Sequence, residues 1–322
     1  GRGRAGRRAA ACRPAARPRL AMERLALPAS ISMAIATVAL AALLARWPRT
    51  YECGAHSRCR GWTHGFARRT WIHATPDLGF RETRRVALAR SLERRRRSGG
   101  RPLALGAGAS DLSMDAAEYI ELLPDASQWR FVFVEPLGWL LPALRETAQK
   151  WAHREQVHLV EALVCDGNAS SQKLHTVPLK SIEELGLGFM KREISHLSSM
   201  DKSATRRGIR ESVVIPEPMK LRLDGKLRAV PVRCVTPASV LEEVQAPPGD
   251  LELLFLDTEG RDVDVLRQFL AMEGFAPTMV KLKWINMEHR WRELTDAVQA
   301  LASRGYHVRQ EHFDLVAVSS EL

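Results

Sequence analysis

Three short stretches of this chain carry residue types that can hold or transform a ligand. The first is Gly106-Ala107-Gly108, which follows the apolar run Leu103-Ala104-Leu105. Glycines lack Cβ, so a backbone built from them can turn sharply and approach a bound molecule closely. The second is Glu135-Pro136, which ends the apolar run Phe131-Val132-Phe133-Val134, twenty-seven residues after Gly108. At that spacing a carboxylate at a strand end can accept both hydroxyl protons of a ribose. The third is Asp257-Thr258-Glu259-Gly260, where one carboxylate can take a proton from a substrate hydroxyl and the other can orient the substrate or a cofactor. Each stretch also has a plain structural reading. The glycines fit an ordinary strand-to-helix turn, Glu135 before Pro136 stabilises a helix N-terminus, and Asp257 caps the helix that follows it. Lys283 and Asn286 are further rim candidates. No metal is expected. The group Cys53, His56, Cys59 and His64 has no common zinc spacing, and Arg58 and Arg60 would repel a cation. A local Cys53–Cys59 disulfide requires an oxidising lumen, as does use of the glycosylation sequon Asn168-Ala169-Ser170.

The elements that must position these residues alternate between short apolar runs and longer helical stretches. Leu103 to Leu105, 131–134, 157–164, 251–256 and 278–284 read as buried strands. Helices are expected over about 110–122, 137–152, 237–244, 263–272 and 288–303, the last with Trp291, Leu294, Val298 and Leu301 on one face. Residues 306–309 and 313–318 close the chain as two strands. Met219 to Val230, with Asp224-Gly225 at its centre, predicts a β-hairpin. The expected fold is therefore α/β and Rossmann-like. It has about seven strands in a mostly parallel sheet, one antiparallel strand near the edge, and helices on both faces. The candidate residues then fall at the C-terminal ends of the strands, where such sheets bind ligands.

Charge divides the chain. Residues 1–101 hold 23 Arg, no Lys and 5 acidic residues, whereas 102–322 hold 25 basic against 32 acidic residues. A folded part that is net acidic argues against a nucleic-acid partner. With 45% apolar and 26% charged residues overall, the chain can bury a sizeable core. Residues 1–24 read as a basic leader. Residues 25–45 are an uncharged run of 21 residues, read as a transmembrane, signal or organelle-targeting segment. The expected location is membrane-associated, single-pass in the secretory pathway, with a mitochondrial or plastid address as the alternative. Residues 46–101 read as an Arg-rich stem ending in the breaker Ser98-Gly99-Gly100, so 102–322 is expected to fold without it.

The stretch Phe131 to Pro136 resembles the "FEP" element of FkbM-family methyltransferases. Leu254 to Gly260 with Asp264-Val265-Leu266 is similar to that family's "K-I-D-V-E-G…E…V-L" element, and the ending Gly305 to Val318 is similar too. The resemblance spans about Leu103 to Val318. It implies S-adenosylmethionine as cofactor, bound by Gly106, Ala107, Gly108, Glu135 and Pro136. It also implies methyl transfer to a hydroxyl oxygen of a carbohydrate or small metabolite, with Asp257 and Glu259 as the catalytic pair. Two positions depart from the family. No acid precedes Gly106, where the family reads D-x-G-A-N-x-G, and Phe255 replaces the lysine of "K-I-D". The alternative reading is a non-catalytic binding module of the same fold. A nicotinamide oxidoreductase fits less well, because the loop is not G-x-G-x-x-G.

Overall fold

A computed structural model describes residues 52–53, 78–112, 118, 120–167, 170–284, 290–311 and 313–320. The expected segment 25–45, the sequon residues 168–169 and Asn286 lie outside these, as do the side chains of the Cys53 group. Among the described residues no helix is long and apolar enough to cross a membrane.

In chain order the strands are β1 (Glu52–Cys53), β2 (Leu103–Ala107), β3 (Arg130–Val134), β4 (Val157–Val160), β5 (Leu163–Val164), β6 (Ser171–Thr176), β7 (Arg228–Val235), β8 (Leu251–Leu256), β9 (Met279–Lys283), β10 (Tyr306–Glu311) and β11 (Asp314–Ser319). The main sheet runs β4-β3-β2-β8-β9-β11-β10, with β1 added at the β10 edge. Pairs from β4 through β9 are parallel, β11 is reversed between β9 and β10, and the short β1 is antiparallel to β10. This is a Rossmann-like fold, as expected. The order steps outward from β2 to β4, then restarts on the other side at β8. The crevice between β2 and β8 is thus the point where strand order reverses.

Alternating side chains of each strand feed two cores, one on each face. Leu105, Val132, Leu254 and Val280 meet helices Pro237–Glu243, Asp262–Leu270 and Trp291–Ser303 on one face. Ala104, Phe131, Phe133, Leu253, Phe255 and Met279 face the other way, under helices Leu78–Arg97 and Leu141–Ala148. Strands of near-continuous apolar character are what burial on both faces requires.

Three expectations need correction. The stem reading fails for its last third, because Leu78–Arg97 is a helix of the domain itself. Its Arg84, Ala87, Leu88, Ser91 and Leu92 are buried, a stripe at helical spacing. Arg94 and Arg95 reach Glu252 at 2.9 and 2.6 Å, and that carboxylate is only 1% exposed. Arg84, itself buried, pairs with Glu311 at 2.8 Å. The hairpin over 219–230 is instead helix Glu217–Lys226 followed by β7. Pro218 sits in the first turn, where a missing N–H costs nothing, and Leu223 is packed inward against Ile209 and Leu227. That packing outweighs the Asp224-Gly225 turn signal. Finally, the strand expected over 157–164 breaks at Glu161. Its second piece, β5, pairs with β7 in a separate sheet of order β5-β7-β6. A disulfide joins Cys165 after β5 to Cys234 on β7, sixty-nine residues apart.

Candidate functional site

Gly108, Glu135 and Asp257 each lie just past the end of β2, β3 and β8, and all three line one pocket at the reversal point. Including its solvent-open mouth, the pocket encloses about 640 Å³. Its lining combines the apolar Pro136, Leu137, Leu140, Ala162, Leu163 and Val164 with the polar Ser110, His196, Asp257, Thr258 and Glu259.

The glycines act mainly through packing. A Cβ on Gly106 would sit 2.0 Å from the Phe255 ring, and one on Gly108 would sit 1.8 Å from the Asp257 carbonyl oxygen. Gly108 also has φ +74°, the left-handed region that disfavours side chains. Its N–H donates to the Val134 carbonyl at 2.9 Å, so the loop is tied to the strand that delivers Glu135. Gly108→Ala should therefore cost about 2–3 kcal/mol. The expected result is a fall in Tm of roughly 5–10 °C. An unchanged thermal transition would show that the loop tolerates a side chain.

Glu135 is 4% exposed, and both of its oxygens are engaged by backbone. Oε2 accepts from the Ser110 N–H at 2.8 Å and Oε1 from the Leu137 N–H at 2.9 Å. Each oxygen keeps a second lone pair for a ligand hydroxyl. Burial raises its carboxyl to about 7, against the pull of those two N–H groups.

Asp257 pairs with Lys283 through Oδ2 at 2.8 Å, which places the rim candidate Lys283 at the site. Its Oδ1 is buried with no hydrogen-bond partner among the described residues, as is the Thr258 hydroxyl. Asp262, at the first turn of the next helix, accepts from the Thr258 N–H at 3.0 Å and the Gly260 N–H at 3.3 Å. That fixes the 257–260 loop and leaves Glu259 with φ +51°. Burial, then the Asp257 charge, push the Glu259 carboxyl well above its ordinary value. The same two causes raise Asp262 to about 6. Asp257 and Glu259 thus come together as anticipated, but Glu259 is held toward its protonated form. Phe255 faces the core behind Gly106. Cationic charge still reaches these carboxylates from Lys281, its neighbour on β9, and from Lys283.

His196 is the residue that sequence reasoning missed. It sits after helix Lys191–Ser195, in the irregular stretch between β6 and β7, and lines the pocket beside Asp257. Its Nε2 shares a 2.5 Å hydrogen bond with the Ser110 hydroxyl. Burial lowers the imidazole pKa, so the ring is neutral at neutral pH. The same segment is fastened over the site by Arg192 to Asp111 at 3.8 Å and by the Ser199 hydroxyl to the Glu259 carbonyl at 3.4 Å. A lone histidine in a stretch without periodicity gave no signal by which to find it.

No protein-family profile matches the chain. No curated protein matches it either. Among solved structures it is similar to precorrin-6y C5,15-methyltransferase from Geobacter metallireducens GS-15. The identity is 13% and the TM-score 0.30, over 77% of this chain and 92% of that one. At that level the likeness carries nothing about activity, and membership of the FkbM family is not shown.

Proposed function

We propose that the chain is an S-adenosylmethionine-dependent methyltransferase that modifies a hydroxyl oxygen of a carbohydrate or small metabolite. The observation that supports this most is Glu135. It is a buried carboxylate at the end of the second sheet strand, at the reversal point, with lone pairs open to the same pocket as Asp257 and His196. The residues fit the cofactor. Glu135 would accept the ribose hydroxyls, and the wall of Leu137, Leu140 and Leu163 would take the flat adenine. The buried, open Oδ1 of Asp257 would take a cationic amino group, a role for which no acid precedes Gly106. The cofactor would supply an activated methyl group on a sulfonium. Because transfer is a displacement, alignment and proximity would provide most of the rate. His196, neutral and hydrogen-bonded to Ser110, would accept the hydroxyl proton. Glu259 would orient the acceptor as a hydrogen-bond donor.

The non-catalytic binding module remains the second reading, favoured by the absence of an acid before Gly106. Calorimetric titration of the full chain with S-adenosylhomocysteine and, separately, with NAD tests the nucleoside assignment. Binding of the first alone is expected; binding of NAD alone would replace the proposal with hydride transfer. The pH dependence is a further test. Glu135 must be ionised to accept two hydroxyl protons, and its carboxyl sits at about 7. Affinity for S-adenosylhomocysteine should therefore rise roughly tenfold from pH 6 to pH 8. A flat profile would remove Glu135 from the ribose.

A further inference from the structure

The segment between β6 and β7 builds a small core of its own from residues such as Ile182, Ile194, Ile209, Ile215 and Leu223. Its outer surface differs from the rest of the domain in two ways. Residues 185–228 carry ten Lys or Arg against five Asp or Glu, whereas the remainder of 102–322 carries fifteen against twenty-seven. Of the six large hydrophobic residues exposed among the described ones, four lie in this segment: Phe189, Val213, Val214 and Leu221. Val213 is 97% exposed, Val214 57% and Leu221 78%.

Val213 and Val214 form the tip of the connector between helices Lys202–Glu211 and Glu217–Lys226. The two helices are clamped by Asp224, which accepts from Arg206 at 2.8 Å and from Arg210 at 3.2 Å. The tip is therefore a formed surface. Arg207 and Arg222 stand exposed on the two helices, and among the described residues neither pairs with an acidic residue. Glu211 and Glu217 border the connector, Glu217 paired with Lys220 at 2.6 Å, yet the segment as a whole is net basic. An apolar tip on a net basic segment matches the layering of a bilayer surface, where acyl boundary lies beneath anionic phosphates. A duplex nucleic acid would offer the charge, but its apolar base faces are stacked inside and out of reach of the two valines.

We propose that the connector 212–216 and the exposed faces of its two flanking helices form a docking surface for a bilayer rich in anionic phospholipid. Contact here is separate from any anchoring through residues 25–45. The pocket edge at Ser198–Met200 leads directly into the ten-residue helix Lys202–Glu211, so the tip stands about 15 Å from it.

Hydrogen–deuterium exchange on the full chain tests this, with phosphatidylserine vesicles, phosphatidylcholine vesicles, or none. Amides of 211–215 and 220–222 should slow by about tenfold with phosphatidylserine at low salt only. The effect should vanish in Val213→Asp/Val214→Asp/Leu221→Asp, whose sites are exposed and leave the fold intact. Three results would overturn the proposal: no vesicle binding, binding without protection of this segment, or protection that depends on protein concentration without vesicles. The last would assign the surface to self-association.

Discussion

Glu135→Gln should weaken binding of S-adenosylhomocysteine by roughly ten- to a hundredfold, because hydrogen bonds to a charged group contribute about 1.5–3 kcal/mol. The neutral amide keeps the shape but offers only one accepting oxygen. That has a second consequence, since Oε1 and Oε2 each hold a backbone N–H, from Leu137 and Ser110. One of these donors would face an NH2 group and be left without a partner, which costs about 1–3 kcal/mol of stability. A strand-end acid read from sequence as a pocket-rim residue would predict almost no loss of stability; its actual burial predicts a measurable one. Replacement also removes a carboxyl that burial has raised to about 7. Such a group lowers stability as pH rises from its unfolded value toward 7, because the unfolded state releases its proton first. The stability deficit of Glu135→Gln should accordingly be largest near pH 5 and shrink by pH 8. Calorimetry and denaturant unfolding at the two pH values check both effects. Wild-type affinity for the variant would mean that the nucleoside site is elsewhere or absent.

Deleting residues 1–100 should abolish cooperative folding. The deletion strips the face that covers Phe131, Phe133 and Met279, and it leaves Glu252, 1% exposed, without Arg94 and Arg95. An unpaired buried charge alone costs about 3–5 kcal/mol. A domain's whole stability is about 5–15 kcal/mol. Deleting only residues 1–77 spares these contacts and should preserve near-ultraviolet circular dichroism and a sharp unfolding transition. A well-folded 101–322 fragment would show that the helix is dispensable and restore the stem reading.

The helix 78–97 escaped sequence reasoning for a definite reason. Its buried stripe has the right spacing, but Arg84 and Ser91 occupy two of its five positions. The ion pair to Glu311 is what makes burial of Arg84 tolerable, and no local pattern announces a partner more than two hundred residues away. By contrast, β3 and β8 were legible because strands buried on both faces carry dense apolar runs, Phe131 to Val134 and Leu253 to Leu256, each ended by an acid. The ligand-side residues Gly108, Glu135 and Asp257 followed from those runs. His196 and the Cys165–Cys234 disulfide did not, since both depend on how the segment between β6 and β7 folds back. There the Asp224-Gly225 pair suggested a turn, while tertiary packing of Leu223 decided for helix.

A nucleoside cofactor at the crevice between β2 and β8 places its ribose on Glu135 in this proposal. A crystal structure of the full chain with S-adenosylhomocysteine should show both ribose hydroxyls at about 2.5–3.0 Å from the Glu135 carboxylate, with adenine against Leu137 and Leu163. Ligand bound away from Glu135, or a pocket that stays empty at saturating ligand, would contradict it.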